Sequence, residues 1–147
     1  IFKPLKFKNR REMAKYYKLI RDVKKVLPIS KEINRAIIET YEYLQTIPTE
    51  KGRQKHLKAV EKGLKEQYTP RMKKLSFSQG KLLIKLVDRQ THSTSYELVK
   101  AFMGPFKAGF YQTFAALFGA SLKKQYDPTG DDALTERVIL MVESGQL

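Results

Sequence analysis

Apolar side chains recur along this chain at three- and four-residue intervals, the period of α-helices packed on one face. Met13, Tyr16, Ile20, Val23 and Leu27 form one such stripe and predict a first helix from about Asn9 to Leu27. Pro28 is expected to stop it, because proline lacks a backbone N–H and its ring crowds the preceding turn. Ser30 is then a good N-cap for a second helix, with Ile33, Ile37, Tyr41 and Leu44 inward. Pro48 and Thr49 end that helix and cap a third, about Glu50 to Tyr68, whose inward side chains are Leu57, Val60, Leu64 and Tyr68. Ser76-Phe77-Ser78-Gln79 has the form of a capping box, with Gln79 at the third helical position. It opens a fourth helix through Leu82, Leu83, Leu86 and Val87.

The polar run from Gln90 to Ser95 breaks the pattern. A fifth helix then carries Tyr96, Val99, Phe102 and Met103. Pro105 suits the first position of a sixth. That helix is apolar nearly all round, with Phe106, Phe110, Phe114, Leu117, Phe118 and Leu122, so the stretch near 105–124 reads as a buried central helix. Asp127-Pro128-Thr129-Gly130 is a turn. Asp131 or Asp132 caps a last helix with Leu134, Val138 and Met141 inward, and Gly145 stops it. No segment alternates as a strand does. The expected fold is all-α: one domain over residues 1–147, a compact bundle of about seven helices. Pro105 to Leu122 is too short and too interrupted for a membrane span, which takes roughly 20 apolar residues.

Charge adds a second layer. Lys and Arg total 29 against 15 Asp and Glu, a formal net charge of +14. The excess is uneven: residues 1–35 hold 12 basic and 3 acidic side chains, whereas residues 105–147 hold 4 and 5. Such a surplus favours an anionic partner, be it nucleic acid, phospholipid or lipopolysaccharide, anionic glycan or acidic protein. At 41% hydrophobic residues, the chain is not a disordered basic tail.

Several chemistries are excluded. With no cysteine there is no disulfide, thiolate zinc site or cysteine nucleophile. His56 and His92 stand too far apart for a helical metal pair. No metal site or cofactor is expected. A Ser–His reading of Thr91-His92-Ser93 lacks an orienting carboxylate, and adjacent residues rarely reach nucleophile–base geometry. A glycan hydrolase needs two placed carboxylates. Asp88 and Glu97 are the nearest pair in this region, and pairing with Arg89 or neighbouring lysines accounts for them.

Two groups of residues are candidates for binding. Lys81, Lys85 and Arg89 follow one another at four-residue spacing. They lead to Ser93, Thr94 and Ser95, whose hydroxyls and free N–H groups open the next helix. Cations beside a helix start make an anion site for phosphate, sulfate or carboxylate. The ordinary alternative is a capped helix with Arg89 paired to Glu97 or to carbonyls of its own helix. The second group is a basic docking face: Arg11, Lys15, Lys18 and Lys25 on the first helix, and Lys51, Lys55, Lys58, Lys62 and Lys65 on the third. The latter five are spaced 4-3-4-3 and line one face. Lys62 and Glu66 are spaced for a weak pair. Lysines there act as point charges, giving affinity and steering without specificity; the ordinary alternative is a solvated face. Nucleic acid is disfavoured, because the aromatics fall on inward faces, the third-helix cations are lysines, and no zinc-finger or RNA-recognition signature is present.

Ser76 to Thr91, reading Ser-Phe-Ser-Gln-Gly-Lys-Leu-Leu-Ile-Lys-Leu-Val-Asp-Arg-Gln-Thr, with Ser93 to Lys100 after it, resembles the signature of the family called domain of unknown function 4294. Lys18 to Pro28 resembles that family's N-terminal helix, and Leu122 to Pro128 its late turn. His92 stands where the family pattern usually has glycine, and Phe110-Tyr111 lacks the tryptophan often found nearby. The resemblance implies no particular chemistry, as the family has no assigned activity. It does imply export in Gram-negative bacteria, since members generally look as if they carry a leader peptide. A chain opening at Ile1 rather than Met fits that expectation.

The sequence therefore leads to a non-catalytic basic helical module of the periplasm or cell envelope. It would dock an anionic surface or an acidic partner protein, as a possible subunit of an envelope assembly. A periplasmic enzyme on an anionic glycan or phosphoester, and a nucleic-acid-binding protein, are the alternatives.

Overall fold

The computed structural model describes residues 4–92 and 126–147, apart from the side chains of Glu61, Thr91 and His92. Among the described residues the chain is helical, without strands, and forms four helices: α1 (Arg10–Leu44), α2 (Glu50–Lys73), α3 (Phe77–His92) and α4 (Ala133–Glu143). The helices expected from Tyr96 to Met103 and near 105–124 lie outside the described residues.

One expectation is corrected at Pro28. The first and second helices of the sequence reading are a single 35-residue helix with Pro28 inside it. The apolar stripe explains why. Val23, Val26, Leu27, Ile29, Ile33 and Ile37 are all buried, so the inward face keeps its phase across the proline. A proline in a helix interior costs about 3 kcal/mol, whereas each fully buried side chain of this kind contributes about 1.5–3 kcal/mol. Pro28 itself is exposed. Ser30 is not an N-cap: it is buried in the helix, where its hydroxyl donates to the Leu27 carbonyl at 2.7 Å.

Elsewhere the ends follow local chemistry. Asn9 caps α1, accepting from the Glu12 N–H at 2.9 Å. Thr49 caps α2, accepting from the Gly52 N–H at 3.1 Å. The capping box of α3 closes in both directions: the Gln79 N–H donates to Ser76 Oγ at 3.2 Å, and the Ser76 N–H donates to Gln79 Oε1 at 3.1 Å. Gly145 ends α4 in the left-handed region at φ 79°. Its N–H donates to the Val142 carbonyl, and the Gln146 N–H to that of Met141, the two bonds of a Schellman motif.

Among the described residues the core lies chiefly between α1 and α3, the most closely packed pair, with α4 against α1. Leu83, Leu86, Val87, Val138 and Ile139 have essentially no exposure. Helix α2 runs past Pro70 to Lys73 and buries its C-terminal end, Tyr68 and Met72. There the Arg71 guanidinium reaches Glu32 of α1 at 2.7 Å and the Tyr68 hydroxyl donates to the same carboxylate at 3.3 Å. The Arg71 hydrogen bond, working against some desolvation, holds the Glu32 carboxyl below its ordinary range. Leu57, Val60 and Leu64 of α2 are only half-buried. Met13 and Leu134, expected inward, are exposed.

Candidate anion-binding cleft

The four-residue spacing of Lys85 and Arg89 on α3 is met by an equal spacing of opposite sign at the start of α4. Lys85 Nζ lies 2.6 Å from Asp132 Oδ1. One turn on, Arg89 Nε lies 2.8 Å from Glu136 Oε2 and its Nη1 3.9 Å from Glu143. Glu143 also meets Lys31 of α1 at 3.3 Å. Burial alone would lower the Arg89 pKa, but the hydrogen bond and charge of Glu136 outweigh it and the guanidinium is held more firmly protonated than usual.

The segment before α4 is fastened to the same ladder. Asp88, buried on α3, accepts from the Tyr126 N–H at 2.8 Å. The Tyr126 hydroxyl donates to Glu136 at 3.2 Å. Burial, and the negative charge of Glu136, push that phenol well above its ordinary value. Asp132 takes the N-cap position of α4, but its second oxygen accepts from the Asp127 N–H at 2.9 Å instead of capping. The Asp127 carboxylate in turn accepts from the N–H groups of Thr129 and Gly130. A side chain at Gly130 would run into that carboxylate and displace it.

The sequence-derived group of six thus divides. Lys85 and Arg89 are engaged by acidic side chains 47 residues away. Asp88, one of the two carboxylates considered for hydrolysis, holds a backbone N–H. Ser93, Thr94 and Ser95, with Glu97, lie outside the described residues. Lys81 remains exposed, its ammonium 5.6 Å from the centre of the Phe77 ring.

What the sequence did not bring together is a cleft of about 330 Å³ between α1, α3 and the start of α4. Lys15 and Lys18 line it from α1, Lys81 and Lys85 from α3, and Leu19 and Leu82 form its apolar floor. Asp22, Ser78, Asp132 and Thr135 complete the wall. Lys18 bridges the two helices, donating to Ser78 Oγ at 3.0 Å and approaching Asp22 to 4.0 Å. Gln79 of the capping box donates its amide to Asp22 at 3.0 Å. Helix packing therefore joins half of the first-helix basic face to two members of the α3 row. The i,i+4 match between Lys85/Arg89 and Asp132/Glu136 was the one sequence signal for this docking.

The remaining basic face is solvent-directed. Arg11 and Lys25 on α1 are exposed, as are Lys51, Lys55, Lys58, Lys62 and Lys65 on α2. Lys62 and Glu66 do not pair. Among the described residues no group of side chains is arranged to hold a metal ion, and no helix is long and apolar enough to cross a membrane.

The described residues form an all-helical, basic structure whose cations are split between a solvent-directed face on α2 and an open cleft between α1 and α3. The chain belongs to the family described as Domain of unknown function (DUF4294), whose model matches residues 1–141. No curated protein and no solved structure matches it.

Proposed function

We propose that this protein is a non-catalytic binding module of the bacterial cell envelope, facing the periplasm, that docks an anionic surface or an acidic partner protein through its basic helices. The observation that carries the reading is the state of the α2 lysines. Lys51, Lys55, Lys58, Lys62 and Lys65 are all exposed and, among the described residues, none is in an ion pair. Five exposed ammonium groups along one helix, none in an ion pair among the described residues, raise the local concentration of a polyanion and steer its approach. The envelope location rests on the family resemblance, and the partner class on the charge.

A salt titration tests this reading. Binding of the purified chain to anionic envelope fractions should weaken steeply as ionic strength rises, because exposed charges are screened over about 10 Å at 0.1 M salt. Changing Lys55, Lys58 and Lys62 to Glu should abolish it. Binding that ignores both salt and these substitutions would reject the electrostatic account.

A further inference from the structure

We infer that the cleft between α1, α3 and the start of α4 binds a phosphate monoester as its dianion. The inference rests on the proposed binding role and gives it a specific ligand chemistry.

The charge balance of the cleft is the first argument. Four ammonium groups and two carboxylates line it: Lys15, Lys18 and Asp22 from α1, Lys81 and Lys85 from α3, and Asp132 at the start of α4. Asp132 is almost fully buried and engages Lys85. Asp22 is buried, held by Gln79, and has Lys18 at 4.0 Å. Lys15 and Lys81, both exposed, have no carboxylate in the cleft to answer them. Among the described residues the cleft carries a surplus of two positive charges, the complement of a dianion.

Shape and donors supply the second argument. A phosphate presents three strong acceptor oxygens. Lys15, Lys18 and Lys81 each offer ammonium protons, and the Ser78 hydroxyl is already held by Lys18 at 3.0 Å. At about 330 Å³ the space is at the lower end of small-molecule sites, enough for the phosphate with a small group against Leu19 and Leu82. Among the described helices, the two that line the cleft, α1 and α3, are the most closely packed pair, so the lysine stems rise from a fixed base. This fixity separates the cleft from the α2 face, where charge is present without a wall.

The test is calorimetric titration of the full chain with methyl phosphate and with dimethyl phosphate at equal ionic strength. The monoester loses its second proton near pH 6. The charged groups that face the cleft are Lys15, Lys18, Lys81, Lys85, Asp22 and Asp132. Saturable binding of the monoester that strengthens from pH 5 to pH 8, with the diester at least about tenfold weaker, is the expected result. Lys15→Gln with Lys81→Gln should weaken it about tenfold or more, while Lys58→Gln with Lys62→Gln, which removes the same charge from α2, should change it less than about twofold. Equal losses from the two pairs, or no preference for the monoester, would overturn the inference. A second arm uses vesicles of phosphatidic acid. Preferential vesicle binding displaced by methyl phosphate assigns the ligand to a lipid headgroup, and methyl phosphate binding without vesicle preference assigns it to a soluble ester; both uphold the site. Should the cleft fail, salt-sensitive docking through α2 survives as a separate measurement, because its readout is the Lys55, Lys58 and Lys62 reversal.

Discussion

The basic side chains of α2 and those of α3 share a helical spacing and differ in what stands opposite them. On α3 Lys85 meets Asp132, and Arg89 meets Glu136 and approaches Glu143, while Lys81, over the exposed Phe77 ring, stays open to the cleft. On α2 the lysine row faces outward, and the apolar side chains behind it are only half-buried. Similar rows of cations therefore carry different meanings. A cation on a helix whose other face is core is recruited by acidic side chains that packing delivers. A cation on a loosely packed helix stays available to something outside the molecule.

The largest expected effect separates the two helices by packing. Leu83→Ala on α3 removes a side chain with no exposure and should cost about 3 kcal/mol, within the usual range for such truncations. Leu57→Ala on α2 should cost about 1 kcal/mol, because that site is already half-open. Urea denaturation of both variants checks this, and equal losses would break the contrast.

Next comes the ladder. Lys85→Ala leaves the Asp132 carboxylate, 6% exposed, without its counter-charge. About 2 kcal/mol of stability should be lost, less than for a fully buried pair because Lys85 is partly solvated. Lys58→Ala on α2 should change stability by less than about 0.5 kcal/mol. Thermal unfolding of the two variants side by side would sharpen the comparison.

Those same residues show how far the fold could be read in advance. The caps at Thr49, Ser76/Gln79 and Gly145 were legible because each depends on a few consecutive residues. Pro28 was misread for the same reason: a local rule predicted a break, and the uninterrupted burial of Val26, Ile29 and Ile33 overrode it. The partners of Lys85 and Arg89 come from 47 residues away, so spacing alone left those cations free. The cleft was harder still. It exists only once α1 lies against α3, which sets Lys18 beside Ser78 across 60 residues.

A smaller effect concerns alkaline pH. The Tyr126 and Tyr68 phenols are raised above the ordinary value of 10.0, first by burial and then by Glu136 and Glu32 respectively. A raised folded-state value means stability that is intact below pH 10 and falls as pH rises through the interval between unfolded and folded values. Tyr126→Phe should flatten that fall in a pH series of unfolding midpoints. It should leave the acid limb as it was, where the lowered Glu32 carboxyl loses its contribution as pH drops below its ordinary value near 4.5. An unchanged alkaline limb in the Phe variant would mean that the hydroxyl is not held by Glu136.

The central claim, that the α2 lysines are available to an outside anion while Lys85 and Arg89 of α3 are internally committed, is tested most directly by removing one charge from each. Affinity for phosphatidylglycerol-containing vesicles at low salt would be measured for Lys58→Gln and Lys85→Gln, with folding verified by circular dichroism. The α2 variant should bind about fivefold more weakly, the effect of roughly 1 kcal/mol per lysine near an anionic surface, and the α3 variant should stay within about twofold of the parent. Equal weakening, or a larger loss from Lys85→Gln, would contradict the account.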